Sequence, residues 1–115
     1  MKMLTEREPI SLESLRQLAA TRFGDMVKAV VDVTRGIMVV DADLHSDEEA
    51  ELLAAGSQQK DLWGINLYPD LPSEDWLEFD SMINLRPSSG NRSRSVDDPL
   101  ICERIRALLD QLVHR

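Results

Sequence analysis

Hydrophobic spacing switches between a helical and a two-residue period along this chain, and the switches lay out its elements. Met3-Leu4, followed by Thr-Glu-Arg-Glu and stopped by Pro9, fits a short edge strand or a lead-in at residues 3–7. Leu12, Leu15, Leu18, Ala19 and Phe23 then fall on one helical face. Ser11 stands at the N-cap, Ile10 and Leu15 at the positions of a hydrophobic staple, and Gly24 at the stop. From Met26 to Val33 the period becomes two, with Val27, Ala29, Val31 and Val33 on one side and Lys28, Val30 and Asp32 on the other. The turn Thr34-Arg35-Gly36 leads to Ile37–Val40 as the hairpin partner.

Ser46-Asp-Glu-Glu49 has the form of a capping box and opens a short helix through Leu52 and Leu53, closed by Gly56. Leu62–Tyr68 reads as a strand with Trp63, Ile65 and Leu67 inward and Gly64, Asn66 and Tyr68 outward. Pro69–Ser73 is a loop. Trp76–Arg86 is the longest strand candidate, with Leu77, Phe79, Ser81, Ile83 and Leu85 inward and Glu78, Asp80, Asn84 and Arg86 outward, ended by Pro87. Asp98 and Pro99 start a last helix whose apolar face is Leu100, Ile101, Ile105, Leu108, Leu109, Leu112 and Val113. The order (β)αββαββα predicts an α+β fold: a mainly antiparallel sheet of four or five strands in two hairpins, with about three helices packed on one face.

Composition narrows the class. A chain of 115 residues, 43% hydrophobic and 30% charged, suits one globular domain over residues 1–115. With 21 Asp and Glu against 13 Lys and Arg, the formal charge of -8 repels a phosphate backbone, which speaks against nucleic-acid binding and against a toxin-like ribonuclease. The single cysteine, Cys102, allows no intrachain disulfide and points to a reducing compartment. No stretch has the apolar length of a signal peptide or a membrane span, so a soluble, cytoplasmic protein without membrane attachment is expected.

Against that acidic background, Phe79–Ser95 reverses sign locally. Pro87-Ser-Ser-Gly-Asn-Arg-Ser-Arg-Ser95 offers Gly90 for a backbone nest, serine hydroxyls, and arginines able to fork onto a carboxylate or phosphate. Asn84, Arg86, Ser88, Asn91, Arg92 and Arg94 are therefore the candidate ligand-binding residues. As a plain structural element, the same segment is a polar linker whose arginines pair with Asp97 or Asp98. It has neither GxxxxGK[ST] nor GxGxxG, so no nucleotide motif supports it.

Further polar candidates lie elsewhere. Glu78, Asp80, Asn84 and Arg86 would share an outer face with Asn66 and Tyr68, and Glu78 and Asp80 would stand about 7 Å apart, a spacing open to acid–base or metal chemistry. His45 precedes three acidic residues, but without HExxH or a cysteine pair no metal site is expected and no cofactor is implied. Trp63 and Trp76 read as core or interface residues.

Arg7-Glu-Pro-Ile-Ser11, Arg22–Val33, Asp61–Pro69 and Phe79–Ser93 resemble a small prokaryotic family known only as a domain of unknown function. The resemblance covers nearly the whole chain. It implies a free-standing bacterial or archaeal protein and brings no activity, cofactor or partner. The residues favour a small binding module with an anion- or phosphate-recognising strand–loop site. The alternatives are a protein-interaction or homodimerisation module, and a small enzyme using Asp80, Glu78 or His45.

Overall fold

The alternating stretch at Val27 becomes the centre of the sheet. In the computed structural model, which describes residues 1–115, five strands run in the order β1 (Lys2–Leu4), β4 (Ile37–Val40), β3 (Val27–Asp32), β5 (Leu62–Leu67) and β6 (Leu77–Glu78). Every neighbouring pair is antiparallel. With helices α1 (Leu12–Thr21), α2 (His45–Ala54) and α3 (Pro99–Leu112), the fold is α+β in roughly the expected order. A further pair joins β2 (Ile10–Ser11) to β7 (Val113–His114) in parallel and ties the start of α1 to the end of α3.

Local signals set two of the helix starts. The Ser11 hydroxyl accepts from Ser14 N–H at 3.0 Å, and the Asp98 carboxylate accepts from Leu100 N–H at 2.9 Å with Pro99 in the first turn. Helix α2 differs from expectation: it begins at His45, with Leu44 at the N-cap and no side-chain cap. Its first turn is held instead by the sheet, through a hydrogen bond between the His45 ring and the Ile65 carbonyl.

The helices do not share one face of the sheet. The cross-strand pairs Val27–Leu67, Ala29–Ile65 and Val31–Trp63 join Leu12, Leu15 and Ala19 of α1 and Ile105, Leu109 and Leu112 of α3 in the main core. Val30, Val39 and Leu62 point the other way and are closed over by Leu52 of α2 in a second, smaller core. Covering both faces explains why Val30 and Asp32, read as an outer face, are fully buried. Asp32 is satisfied by the β3–β4 turn, accepting from Thr34 N–H and Arg35 N–H at 2.9 Å, and by the segment after α2, accepting from the Ser57 hydroxyl at 2.7 Å. Phe23 and Leu85, expected inside, are exposed because α1 ends at Thr21 and β6 at Glu78, and Leu100, also expected inside, is exposed in the first turn of α3.

The largest departure is at Trp76–Arg86, which is a strand only at Leu77–Glu78. Beyond it the chain turns through one 3-10 turn at Met82–Asn84 and another at Pro87–Ser89. The cause is Asn84, which is fully buried. Its Oδ1 accepts from Gly64 N–H at 2.8 Å, and its Nδ2 donates to Gly64 O at 2.9 Å and to Arg94 O at 2.9 Å. One side-chain amide thus satisfies both backbone groups that a continuing strand would have paired. Glycine is required opposite: a Cβ on Gly64 would lie 2.5 Å from Ser81 Cβ. The Arg86 guanidinium continues the same edge, donating to Leu62 O at 2.7 Å and to Gln59 O at 2.5 Å.

Asn84→Ala strands Gly64 N–H and O, while Arg94 O keeps its bond from Ser81 N–H at 3.0 Å. At about 1–3 kcal/mol for each buried group left unpaired, it is expected to cost about 3 kcal/mol or more in urea unfolding, and Asn84→Asp, which loses both donors, is expected to cost a similar amount. A loss below about 1 kcal/mol for both variants would show that the clamp does not hold the segment.

Candidate functional site

Strand register lines up three polar residues on the face that α2 partly covers. Lys28 on β3 stands opposite Asn66 on β5, and Asn66 stands opposite Glu78 on β6. Directly opposed side chains lie about 5 Å apart at Cβ, so the three form a continuous row across the sheet. Asn66 Nδ2 donates to Glu78 Oε1 at 2.8 Å and to Asp80 O at 3.2 Å, and the Tyr68 hydroxyl donates to the same Glu78 oxygen at 3.1 Å. Arg94 reaches across from the far loop to donate to Asp80 Oδ1 at 2.7 Å.

Above this row sits the first turn of α2. The His45 ring makes a single hydrogen bond, Nε2 to Ile65 O at 2.8 Å, and because a carbonyl only accepts, Nε2 carries the proton. Burial lowers the His45 pKa and the Lys28 charge adds to this, against weaker opposing effects from the Ile65 carbonyl, the Asp80 charge and the Asn66 side chain, so the ring is neutral at physiological pH and Nδ1 presents a lone pair. Lys28 takes part in no ion pair; its ammonium lies 5.4 Å from the centre of the Phe23 ring. Burial, then the Glu78 charge, raises the Tyr68 pKa and keeps the phenol protonated.

These side chains line a cavity of about 490 Å³ between α2, the β5–β6 edge and the turn at Met82–Asn84. Leu44 and Met82, among the more exposed large apolar residues of the chain, stand at its rim, with Met26 and Ile83 completing the apolar wall. Asn66 is 6% exposed, yet its Oδ1 has no hydrogen-bond donor.

One turn along α2 from His45, Glu48 faces the sheet with no exposure and neither carboxylate oxygen hydrogen-bonded. Burial pushes its pKa up to about 9, the nearby Ala42 backbone and Lys28 offsetting this only in part, so the carboxyl is neutral at pH 7.

The expected site residues divide. Arg94 reaches the cavity and joins His45, Asn66, Tyr68, Glu78 and Asp80, which had been assigned to two separate places in the sequence. Asn84 does not face outward with them, being committed to Gly64. Asn91 is buried, its Nδ2 donating to Asn84 O at 2.7 Å, Ser95 O at 2.8 Å and Ser93 O at 3.1 Å, so it shapes the loop. Arg86 lies against Trp63, its guanidinium carbon 4.2 Å from the ring centre, away from Arg94. Ser88 and Arg92 are exposed, and Arg92 N–H donates to Asp97. Lys28, Leu44 and Glu48 escaped the sequence reading. The alternation already put Lys28 on a polar side, but only the β3–β5 pairing, between strands of different hairpins, sets it beside Asn66.

Residues 4–112 match the family described as a protein of unknown function (DUF5674), and the chain belongs to that family. Neither a curated protein nor a solved structure matches it. No group of three His, Cys, Asp or Glu side chains is placed to hold a metal ion, and no helix is long and apolar enough to cross a membrane.

Glu48 makes stability depend on pH. From the ordinary carboxyl value of 4.5 up to about 9, the unfolded chain releases this proton while the folded chain keeps it. Stability is therefore lost as pH rises through that window, by on the order of 1 kcal/mol per pH unit. His45, with its lowered pKa, acts oppositely near its ordinary value of 6.5, and subtracting a variant cancels it. Urea unfolding of the wild type and Glu48→Gln between pH 5 and 8 is expected to give curves whose difference grows in the variant's favour with pH. Parallel curves would mean that Glu48 is ionised in the folded protein.

Proposed function

We propose that this member of a family of unknown function is a small binding module whose cavity takes an amphoteric ligand. The ligand's carboxylate or phosphate would meet Lys28, and its amine or hydroxyl would meet Glu78 and Nδ1 of His45. An apolar portion would rest between Leu44 and Met82. The observation that carries the reading is the in-register row Lys28–Asn66–Glu78 under a histidine held neutral, in a cavity where Lys28 has no counter-ion. A cation at one end and acceptors at the other select for the positions of two groups on one molecule, a finer discrimination than net charge gives. Anion recognition is thereby kept from the sequence reading and assigned to Lys28 and Arg94, with Asn84 and Asn91 as scaffold.

A second reading, a proton-transfer enzyme, is favoured by one feature. The Ile65 carbonyl fixes the His45 tautomer and leaves Nδ1 as a base in reach of whatever fills the cavity. In that case a bound ligand would exchange a carbon-bound hydrogen for deuterium. His45→Gln would slow the exchange by about a hundredfold or more while binding persists.

The binding reading is tested with amino acids, hydroxy acids and their phosphorylated forms at millimolar concentration, followed by thermal shift and amide NMR. At least one is expected to raise Tm by several degrees and to move Lys28, Asn66 and Glu78 together. Lys28→Ala is expected to weaken that ligand about tenfold. A set in which no compound moves these three resonances would end the proposal.

A further inference from the structure

Two cations line the cavity under α2, and they enter it from opposite ends of the polar row. Lys28 stands on β3 and Glu78 on β6, with β5 between them. Two inter-strand steps of about 5 Å put about 10 Å between the ends of that row. Arg94 comes in beyond the Glu78 end, where its Nε–H donates to Asp80 Oδ1 at 2.7 Å. Its main chain is fixed there, because Arg94 O accepts from Ser81 N–H at 3.0 Å and from Asn84 Nδ2 at 2.9 Å.

Nε is the only guanidinium nitrogen of Arg94 with a hydrogen bond, and the side chain is 54% exposed, so both Nη groups are free and open to solvent. A guanidinium carries its donors in a planar fork. With Nε given to a carboxylate, the edge between the two Nη groups still takes a second oxyanion in bidentate fashion. Asp80 has its charge offset by the same contact and repels an incoming anion less than a lone carboxylate would. Between the two cations stands Glu78, whose Oε1 accepts from Asn66 and Tyr68 and whose Oε2 is unpaired. The groups therefore run cation, acceptor, cation across the cavity. A plain amino acid or hydroxy acid has one anionic group for Lys28 and would leave the Arg94 fork in water. About 490 Å³ holds a larger molecule than that.

We infer that the ligand carries a second oxyanion, a distal carboxylate or phosphate, bound by the Nη edge of Arg94, while its first anionic group meets Lys28 and its amine or hydroxyl meets Glu78. Arg94 then sets specificity, selecting diacids and phosphorylated acids over their singly charged parents. This specificity rests on the cavity being the amphoteric site proposed above and narrows its ligand to one class of compound.

Two matched pairs of compounds test it by NMR titration of the ¹⁵N-labelled protein at constant ionic strength, read at the Lys28, Asn66 and Glu78 amides. Norleucine is compared with α-aminoadipate, which has a carboxylate in place of the terminal methyl. Homoserine is compared with O-phosphohomoserine, which sets a phosphate at the same number of bonds from Cα. In at least one pair the acidic member is expected to bind about tenfold or more tightly than its parent, and the pair with the larger ratio identifies the oxyanion preferred. Arg94→Gln is expected to bring that ratio close to one, whereas Lys28→Ala is expected to weaken both members and leave the ratio standing. Equal affinities within both pairs, or a ratio that survives Arg94→Gln, would overturn the role of Arg94 and leave the amphoteric site in place. Silence of the three amides towards all of these compounds would remove both.

Discussion

Everything distinctive about this fold hangs on one side-chain amide. Asn84 pairs with both backbone groups of Gly64 and so takes the place of a strand. The clamp needs Gly64, because any Cβ there would collide with Ser81. It also ends the sheet early, at Glu78, and lets residues 79–97 fold back as turns. Had the strand continued to Arg86, its ladder would have covered the β5 edge. Instead that edge is served in succession by Arg86 at Leu62, by Asn84 at Gly64 and by β6 at Asn66 and Leu67. A cavity opens at the point where paired strand gives way to turns.

Placing α2 on the face opposite α1 and α3 gives that cavity its chemistry. His45 and Glu48, one turn apart, are pressed against a partly polar sheet face, and burial holds both neutral. What remains charged around the cavity is Lys28 and Arg94 against Glu78 and Asp80. The balance is local: the chain as a whole carries -8. Selectivity must therefore come from where the charges stand along the Lys28–Asn66–Glu78 row, since attraction by net charge would favour cations alone. Helix α2 does its positioning at a cost in stability, because a carboxyl with no hydrogen-bond partner is buried in its sheet-facing side.

Periodicity made the three helices, the β3–β4 hairpin and β5 legible, as did Ser11, Asp98 and Pro99 at the helix starts. Short-range rules suffice there because capping and alternation act over a few residues. Two things lay beyond such rules. At Phe79–Arg86, apolar and polar residues alternate like a strand, but Asn84 finds a better partner in Gly64, twenty positions away, and no local pattern announces a side chain standing in for backbone. The pairing of β3 with β5 is likewise non-local. Without it, His45, Lys28 and Glu78 belong to separate segments, and Lys28 looks like any solvated lysine. The basic loop drew notice for its arginines, yet Arg86 and Arg94 serve opposite sides of the sheet, and the buried Asn91 builds the loop between them.

The proposed site depends on His45 being neutral, with its proton on Nε2 and an open lone pair on Nδ1. Long-range ¹H–¹⁵N correlation of the imidazole across pH reads both properties in one experiment. The geometry predicts the Nε2–H tautomer and a titration midpoint below the ordinary value of 6.5. An Nδ1–H tautomer would mean that the ring is not anchored to Ile65, and a midpoint at or above 6.5 would mean that burial does not hold it neutral; in either case the cavity lacks the acceptor on which its proposed ligand depends.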